Sequence, residues 1–213
     1  TDKTEEIVKN VRRKNKHILF LNLKAGGKGY AVIEGFKDAL KRDNDLIGFV
    51  DADMATPPEE YYKLFLNIVN YDGILANRWL KGSEIYGDTI MRRINSLGFN
   101  FIVRSLFFFK FRDTQCGAKL FKREVIKKVV NQLTITKWAF DVELIYKVLK
   151  NGFKMQDIDT KWTNMDKSKI NLLKTPIQMF SGVLRIRLLN SPFKFIVRFY
   201  DEAIPERIRF HHI

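Results

Sequence analysis

The sequence predicts an α/β protein whose mainly parallel sheet is flanked by helices. Two observations carry that expectation. Over the first eighty residues, apolar stretches of strand length alternate with segments of helical periodicity. The connections between them are short, and repeated strand–helix units of this kind set parallel strands side by side under helices. A third observation bears on what the sheet is for. "LIGFVDADMATPP" (46–58) climbs through an apolar run to Asp51 and Asp53 and stops at two prolines.

Taken in order, Asp2 or Thr4 is placed to cap a helix through "EEIVKNV". The chain thus reads as leaving a loop for a helix, and an upstream segment is expected to be missing. "HILFLNL" (17–23) has the composition of a strand. "KAGGKGYAVIEGFKDALKRD" is a glycine-rich turn opening a helix, with Ala31, Val32, Phe36, Ala39 and Leu40 on one face. "LIGFVDAD" (46–53) is a second strand. "TPPEEYYKLFLNIV" starts a helix with a threonine cap candidate, prolines in its first turn and early glutamates. "DGILANRW" (72–79) is a third strand.

Beyond residue 80 the rhythm changes. "KGSEIYGD" reads as a polar loop and "TIMRRINSLGFNFIVRSLFFFKF" as a long helix. "RDTQCGAKLFKREVIKKVVNQL" gives a loop, a short strand and a helix. "WAFDVELIYKVLKNGF" is a helix ended by Gly152, and "KMQDIDTKW" (154–162) alternates as a strand. A polar loop, "TNMDKSKIN", leads to the amphipathic helix "LLKTPIQMFSGVLRIRLLN". No linker divides the 213 residues. The expectation is one catalytic domain over 1–213, with 172–213 a helical, membrane-facing segment.

Composition narrows the partners. Hydrophobic residues make up 46% and charged residues 29%, which together describe a folded chain with a sizeable core. A formal net charge of +14 points to an anionic partner. Nucleic acid, an anionic membrane and a phosphorylated substrate are the classes to weigh. Nucleic acid is disfavoured, because the aromatics are not interleaved with basic residues and no zinc-finger or basic-zipper signature occurs. The single cysteine, Cys116, excludes an internal disulfide and fits a reducing compartment. No apolar run reaches the roughly 18 to 20 residues of a spanning helix, so the chain is expected to be soluble or peripheral.

Asp51 and Asp53 fall at the carboxyl end of a strand, where open parallel sheets gather ligands. If the extended form persists through Ala52, both carboxylates share a side. The spacing alone leaves two readings: a loop-capping pair, or a pair bridged by a hard divalent cation that also holds phosphates. Gly26, Gly27 and Gly29 allow close backbone approach, and Lys28 sits at a helix N-terminus, where anions are favoured. The spacing is not that of a P-loop.

"GFVDADMATPPEEYYKLF" resembles the D-x-D region of inverting family 2 glycosyltransferases of the GT-A fold. "DTQCGAKLFKREV" (113–125), "KWAFDVELIYKV" (137–148) and "TKWTNMDKSKIN" (160–171) resemble the dolichyl-phosphate β-glucosyltransferases within that family. The resemblance runs along essentially the whole chain and implies that the first strand is absent. It implies Asp51 near the sugar and ribose, with Asp53 and Asp51 at an Mg2+ or Mn2+ site. Lys28, Arg78, Gln115 and Trp138 are implied in nucleotide-sugar binding. Arg78 stands in Ala76-Asn77-Arg78, where the family usually has Gly-Ser-Arg. Asp113 and Asp141 are the catalytic candidates, and Lys169 rather than Lys167 the candidate for the acceptor phosphate. Each has a plainer reading: a turn cap for Asp113, a helix-dipole carboxylate for Asp141, core for Trp138, solvated charge for the lysines.

The implied activity moves a hexose from a nucleotide sugar, UDP-glucose favoured and GDP-mannose possible, to dolichyl or another polyprenyl phosphate at the cytoplasmic face of a membrane. Basic residues set in apolar runs, as in "RRINSLGFNFIVRSLFFF" and "LRIRLLNSPFKFIVRFY", fit an interfacial surface. The alternatives are another family 2 transferase such as a mannose synthase, an inert nucleotide-sugar-binding fragment, or a basic nucleic-acid-binding protein.

Overall fold

The computed structural model describes residues 3–23, 26–134, 139–165 and 174–203. Its centre is a four-stranded sheet in the order β1 (Leu46–Val50), β4 (Ala118–Lys122), β2 (Gly73–Asn77), β5 (Met155–Asp159). β2 and β5 run parallel, whereas β4 is antiparallel to both β1 and β2. The sheet is therefore mixed, with three strands sharing a direction and one opposed. The reversal follows from the connection. After β2 the chain runs out through α4 (Ile90–Phe107) and enters the sheet from the other end, between β1 and β2.

Side-chain alternation assigns the faces. Ile47, Leu75 and Phe121 turn toward α2 (Lys28–Ala39), α5 (Arg123–Val129) and α6 (Phe140–Lys150), with Ile33, Phe36, Val125, Phe140, Val142 and Leu144 completing that side of the core. Ile74, Ala76, Ala118 and Leu120 turn the other way, onto Leu64 and Ile68 at α3 (Pro58–Asn67). α4 and α7 (Lys174–Leu189) enlarge the first side through Phe99, Val103, Val183 and Ile186. α8 (Lys194–Ala203) packs on α7.

Several local expectations change. Residues 17–23 are not a strand: no described strand pairs with them, and Leu19 and Leu21 stay exposed. Strand composition does not suffice without a partner for the backbone groups. The loop at 81–88 contains β3 (Glu84–Tyr86), which pairs in parallel with β6 (Lys161–Thr163). The single strand expected over 154–162 is thus two strands in two sheets, divided at Thr160. α1 (Thr4–Lys14) forms, but Lys3 rather than Thr4 precedes it, without a side-chain cap, and Asp2 lies outside the described residues. α3 starts after Pro57, also without a side-chain cap from Thr56. α4 stops at Phe107, where Phe108 adopts the left-handed conformation.

Candidate active site

The site lies at the carboxyl end of β1, between the N-termini of α2 and α6. Strand parity puts Phe49 and Lys119 on the α2/α6 side of the sheet, and Asp51 continues that parity just past the strand. The extended form does not persist through Ala52, which begins a turn, so Asp51 and Asp53 part company. Asp53 is exposed and accepts one bond, from Ala55 N–H at 3.0 Å. Met54, beside it, has φ 62°, the left-handed form that tightens this turn.

Asp51 meets Lys28. The ammonium lies 3.0 Å from Asp51 Oδ1 and 3.2 Å from Asp141 Oδ2, joining a β1 carboxylate to an α6 carboxylate. Burial depresses the Lys28 ammonium, but Asp141 and Asp51 together outweigh it and hold its pKa above the ordinary value. The other Asp141 oxygen, Oδ1, accepts from Lys119 Nζ at 2.6 Å. Lys119 also donates to the Cys116 carbonyl at 2.7 Å and is fully buried. The result is an alternating row, Asp51–Lys28–Asp141–Lys119, running from the surface into the core. Alternation is what makes burial of these charges tolerable, because each has an opposite neighbour.

A second charged pair sits at the end of β2. Arg78 grips Asp113 with two parallel bonds, Nε to Oδ2 at 2.7 Å and Nη2 to Oδ1 at 3.1 Å. The Arg78 and Gln115 backbone N–H groups complete the Asp113 shell. Burial would raise the Asp113 pKa, but the Arg78 charge and these bonds hold it below the ordinary carboxyl value. The guanidinium lies over Trp162, 5.0 Å from the ring centroid. Asp113, expected beside the acceptor oxygen, therefore has both oxygens engaged with its own neighbours. Gln115 Nε2 is buried with no partner among the described residues. Cys116 is buried, and its thiol is pushed up to about 11 by burial, which fits a packed residue. Glu143 turns away, accepting from Thr134 N–H and Oγ1.

Beside this pair lies an open cleft of about 360 Å³, lined by Trp79, Arg93, Leu97, Asn100, Phe101, Arg104 and Arg112. Asn100 Oδ1 accepts from Thr114 N–H at 3.1 Å, which ties the cleft wall to the loop carrying Asp113. Five of these residues lie on one face of α4, and their spacing of 93, 97, 100, 101 and 104 is a helical stripe legible in the sequence. In the sequence Arg93 and Arg104 read only as membrane-flanking charge. Lys119 was missed too, although a lysine inside "GAKLF" breaks an apolar strand. Trp138, Lys167 and Lys169 lie outside the described residues.

The family model for glycosyl transferase family 2 matches residues 1–130, more than half of the chain. The chain belongs to glycosyl transferase family 2. Within it, the chain is 33% identical over 196 residues to a dolichyl-phosphate beta-glucosyltransferase of Dictyostelium discoideum, covering 87% of this chain and 59% of that protein. It is 35% identical over 161 residues to the Drosophila melanogaster protein of the same name, covering 72% and 48%. The chain thus spans about half the length of the named relatives it matches. Among solved structures, glucosyl-3-phosphoglycerate synthase from Mycobacterium tuberculosis superposes with TM-score 0.62 at 11% identity, covering 90% of this chain and 67% of that one. Mannosyl-3-phosphoglycerate synthase from Rubrobacter xylanophilus gives 0.52 at 18%, covering 87% and 55%. The fold of this family 2 chain is the GT-A fold that these enzymes share.

Proposed function

We propose that this family 2 chain transfers a hexose, with glucose favoured, from a nucleotide sugar to dolichyl or another polyprenyl phosphate. The observation that carries the reading is the arginine-walled, part-apolar cleft tied through Asn100 to the Asp113 loop. Three guanidinium groups beside Leu97 and Phe101 suit a phosphate attached to a hydrocarbon. The names of its relatives support the same substrates.

The donor belongs at the end of β1. Lys28 and the backbone N–H groups of the first α2 turn favour its diphosphate, and Asp51 faces the sugar side. Arg78, held by Asp113, offers its remaining nitrogen to the same phosphates, Gln115 lines the sugar pocket, and Trp138, outside the described residues, is a sugar-binding candidate by family resemblance. Asp53 fits a divalent cation: it is exposed, carries one backbone bond, and offers the carboxylate oxygen that Mg2+ or Mn2+ prefers. No cluster of three His, Cys, Asp or Glu occurs among the described residues, and Asp51 is turned to Lys28, so diphosphate and water would complete such a site around Asp53. When bound, that ion neutralises the departing diphosphate.

A phosphate acceptor is ionised near neutral pH, so the chain mainly has to place its oxygen in line with the anomeric carbon. Asp141 lies on the donor side of that line, and Asp113 acts by fixing Arg78. Lys169, outside the described residues, is the candidate for the acceptor phosphate by family resemblance. Direct attack gives the β-linked product. The acceptor implies a membrane surface, and the proposed one is the cytoplasmic face. No described helix is long and apolar enough to cross a bilayer. The single domain expected over 1–213 carries the chemistry, and of the segment 172–213 the described helix α8 faces the lipid.

The test is a donor panel. UDP-glucose and GDP-mannose are each incubated with polyprenyl phosphate, with Mn2+ or with EDTA. Metal-dependent transfer from UDP-glucose supports the reading. Transfer from GDP-mannose alone changes the sugar, and no transfer from any donor overturns it.

A further inference from the structure

Lys119 is the one fully buried cation of the described residues, and nothing in the proposed chemistry uses it. It stands in the central strand β4, with Phe121 two residues on and the Phe49 ring 5.3 Å from its ammonium. An ammonium in such a place is costly unless its bonds are specific. Its two bonds are specific in a telling way. One goes to the Cys116 carbonyl, in the turn leading into β4, and the other to Asp141 Oδ1 in the first turn of α6. Asp141 is itself almost fully buried, so its carboxylate has little water to orient it. With Oδ1 held from beneath, Oδ2 points to Lys28 and, through it, to Asp51.

We propose that Lys119 is a positioning residue: from inside the core it fixes the Asp141 carboxylate, and thereby the Lys28 ammonium, in the geometry that transfer requires. The proposal rests on the glycosyl-transfer reading for its effect on rate, but its structural content stands apart from it. A simple packing role would need only the aliphatic stem. Methionine supplies that stem at nearly the same volume, so Lys119→Met separates the two roles.

The experiment combines kinetics with a direct view of Lys28. In the intact protein, Lys119→Met is expected to lower kcat by about a hundredfold, the scale of an ångström-sized displacement at a reacting centre. KM for UDP-glucose should rise as well, because the displaced Lys28 ammonium favours the donor diphosphate, whereas KM for polyprenyl phosphate should change by less than about threefold. On an Asp141→Asn background the same substitution should cost nothing further in kcat, since Lys119 acts only through Asp141. Reductive methylation with isotope-labelled methyl groups gives Lys28 an NMR signal, assigned by its absence in Lys28→Arg. That signal should shift in Lys119→Met.

An unchanged Lys28 signal overturns the proposal whatever the activity. So does wild-type kcat in Lys119→Met, or a double variant slower than Asp141→Asn by the full single-variant factor. If Lys119→Met does not fold, Lys119→Arg carries the test. It keeps the charge while its longer planar head displaces Asp141, so a folded Lys119→Arg with wild-type kcat and an unmoved Lys28 signal overturns the proposal. Wild-type protein that transfers no hexose from any donor defeats the glycosyl-transfer reading, and the Lys28 signal still decides the role of Lys119.

Discussion

The Asp51 carboxylate occupies the space where a side chain on Gly117 would stand. A Cβ at Gly117 would lie 1.8 Å from Asp51 Oδ2, and the Asp51 N–H donates to the Gly117 carbonyl at 2.9 Å. The cause is register. β1 and β4 pair antiparallel with Val50 opposite Ala118, so the next step sets Asp51 opposite Gly117. Glycine is required here for space, since its backbone is not among the left-handed ones.

Gly117→Ala should therefore push Asp51 off Lys28 while leaving the sheet intact. The expected result is a loss of UDP-glucose affinity on the order of tenfold to a hundredfold, with the far-UV spectrum unchanged. Isothermal titration in the presence of Mn2+ measures it. Wild-type affinity would show that the Asp51 position is irrelevant to the donor.

Arg78 and Asp113 should set the acid limb of stability. Asp113 is fully buried, so Asp113→Asn leaves a largely buried guanidinium unpaired and should cost about 3–5 kcal/mol. The sign follows from the depressed pKa. A carboxylate held below its ordinary 3.8 contributes fully above that value and loses its contribution as pH falls through the lower folded value. Arg78, raised far above its ordinary value by Asp113 against the cost of burial, does not titrate in this range. The Tm gap between wild type and Asp113→Asn should thus be constant from neutral pH to about 5. It should close at more acidic pH. Thermal melts across that range provide the check, and a gap that persists at the acid end contradicts the assignment.

Much of this arrangement was legible in the sequence, and what was not has physical causes. The D-x-D strand end, the glycine-rich turn before Lys28 and the helix over "FDVEL" are local signals, and each local element formed. The reversal of β4 was not legible, because strand direction depends on where α4 returns the chain. Residues 17–23 show the converse: strand composition is local, but pairing is not. The Arg78–Asp113 grip spans 35 residues and the Lys119–Asp141 bond 22, and no periodicity encodes either. The α4 stripe was readable as a helical face, yet spacing does not say whether such a face meets lipid, solvent or a cleft.

Asp53 separates metal binding from folding. Its one bond is to the Ala55 backbone in an exposed turn, so Asp53→Ala should cost roughly 0.5–1 kcal/mol of stability. The same substitution should reduce Mn2+-dependent transfer by about a hundredfold or more if Asp53 holds the ion. EDTA should silence the wild type to the same level and leave Asp53→Ala unaffected. Equal activity of the two proteins with and without EDTA would remove the metal from the site.

The outer surface of α8 should bind anionic lipid. Phe195 and Phe199 are 61% and 72% exposed beside Lys194 and Arg198, and Phe193 and Ile196 extend the apolar surface. Apolar side chains enter the acyl boundary while basic ones gain from headgroups, about 1 kcal/mol for each. Co-sedimentation with vesicles containing phosphatidylserine should weaken with salt, and by about tenfold for each of Phe195→Ser and Phe199→Ser. Binding indifferent to both substitutions would move the membrane contact elsewhere.

Arg104 distinguishes the acceptor phosphate from the acceptor tail. It shares one α4 face with Phe101, one turn apart, and both line the cleft. Losing a charge-assisted bond to phosphate costs about 1.5–3 kcal/mol, so Arg104→Ala should lower kcat/KM for polyprenyl phosphate by roughly tenfold to a hundredfold. The factor should be the same for a short, water-soluble prenyl phosphate, because the phosphate is common to both. Phe101→Ala should penalise only the long acceptor, whose tail would use that ring. KM for UDP-glucose should be unchanged in both variants. If Arg104→Ala raised the donor KM instead, the cleft would belong to the nucleotide diphosphate, and the acceptor would have to enter from another side of the Asp113 loop.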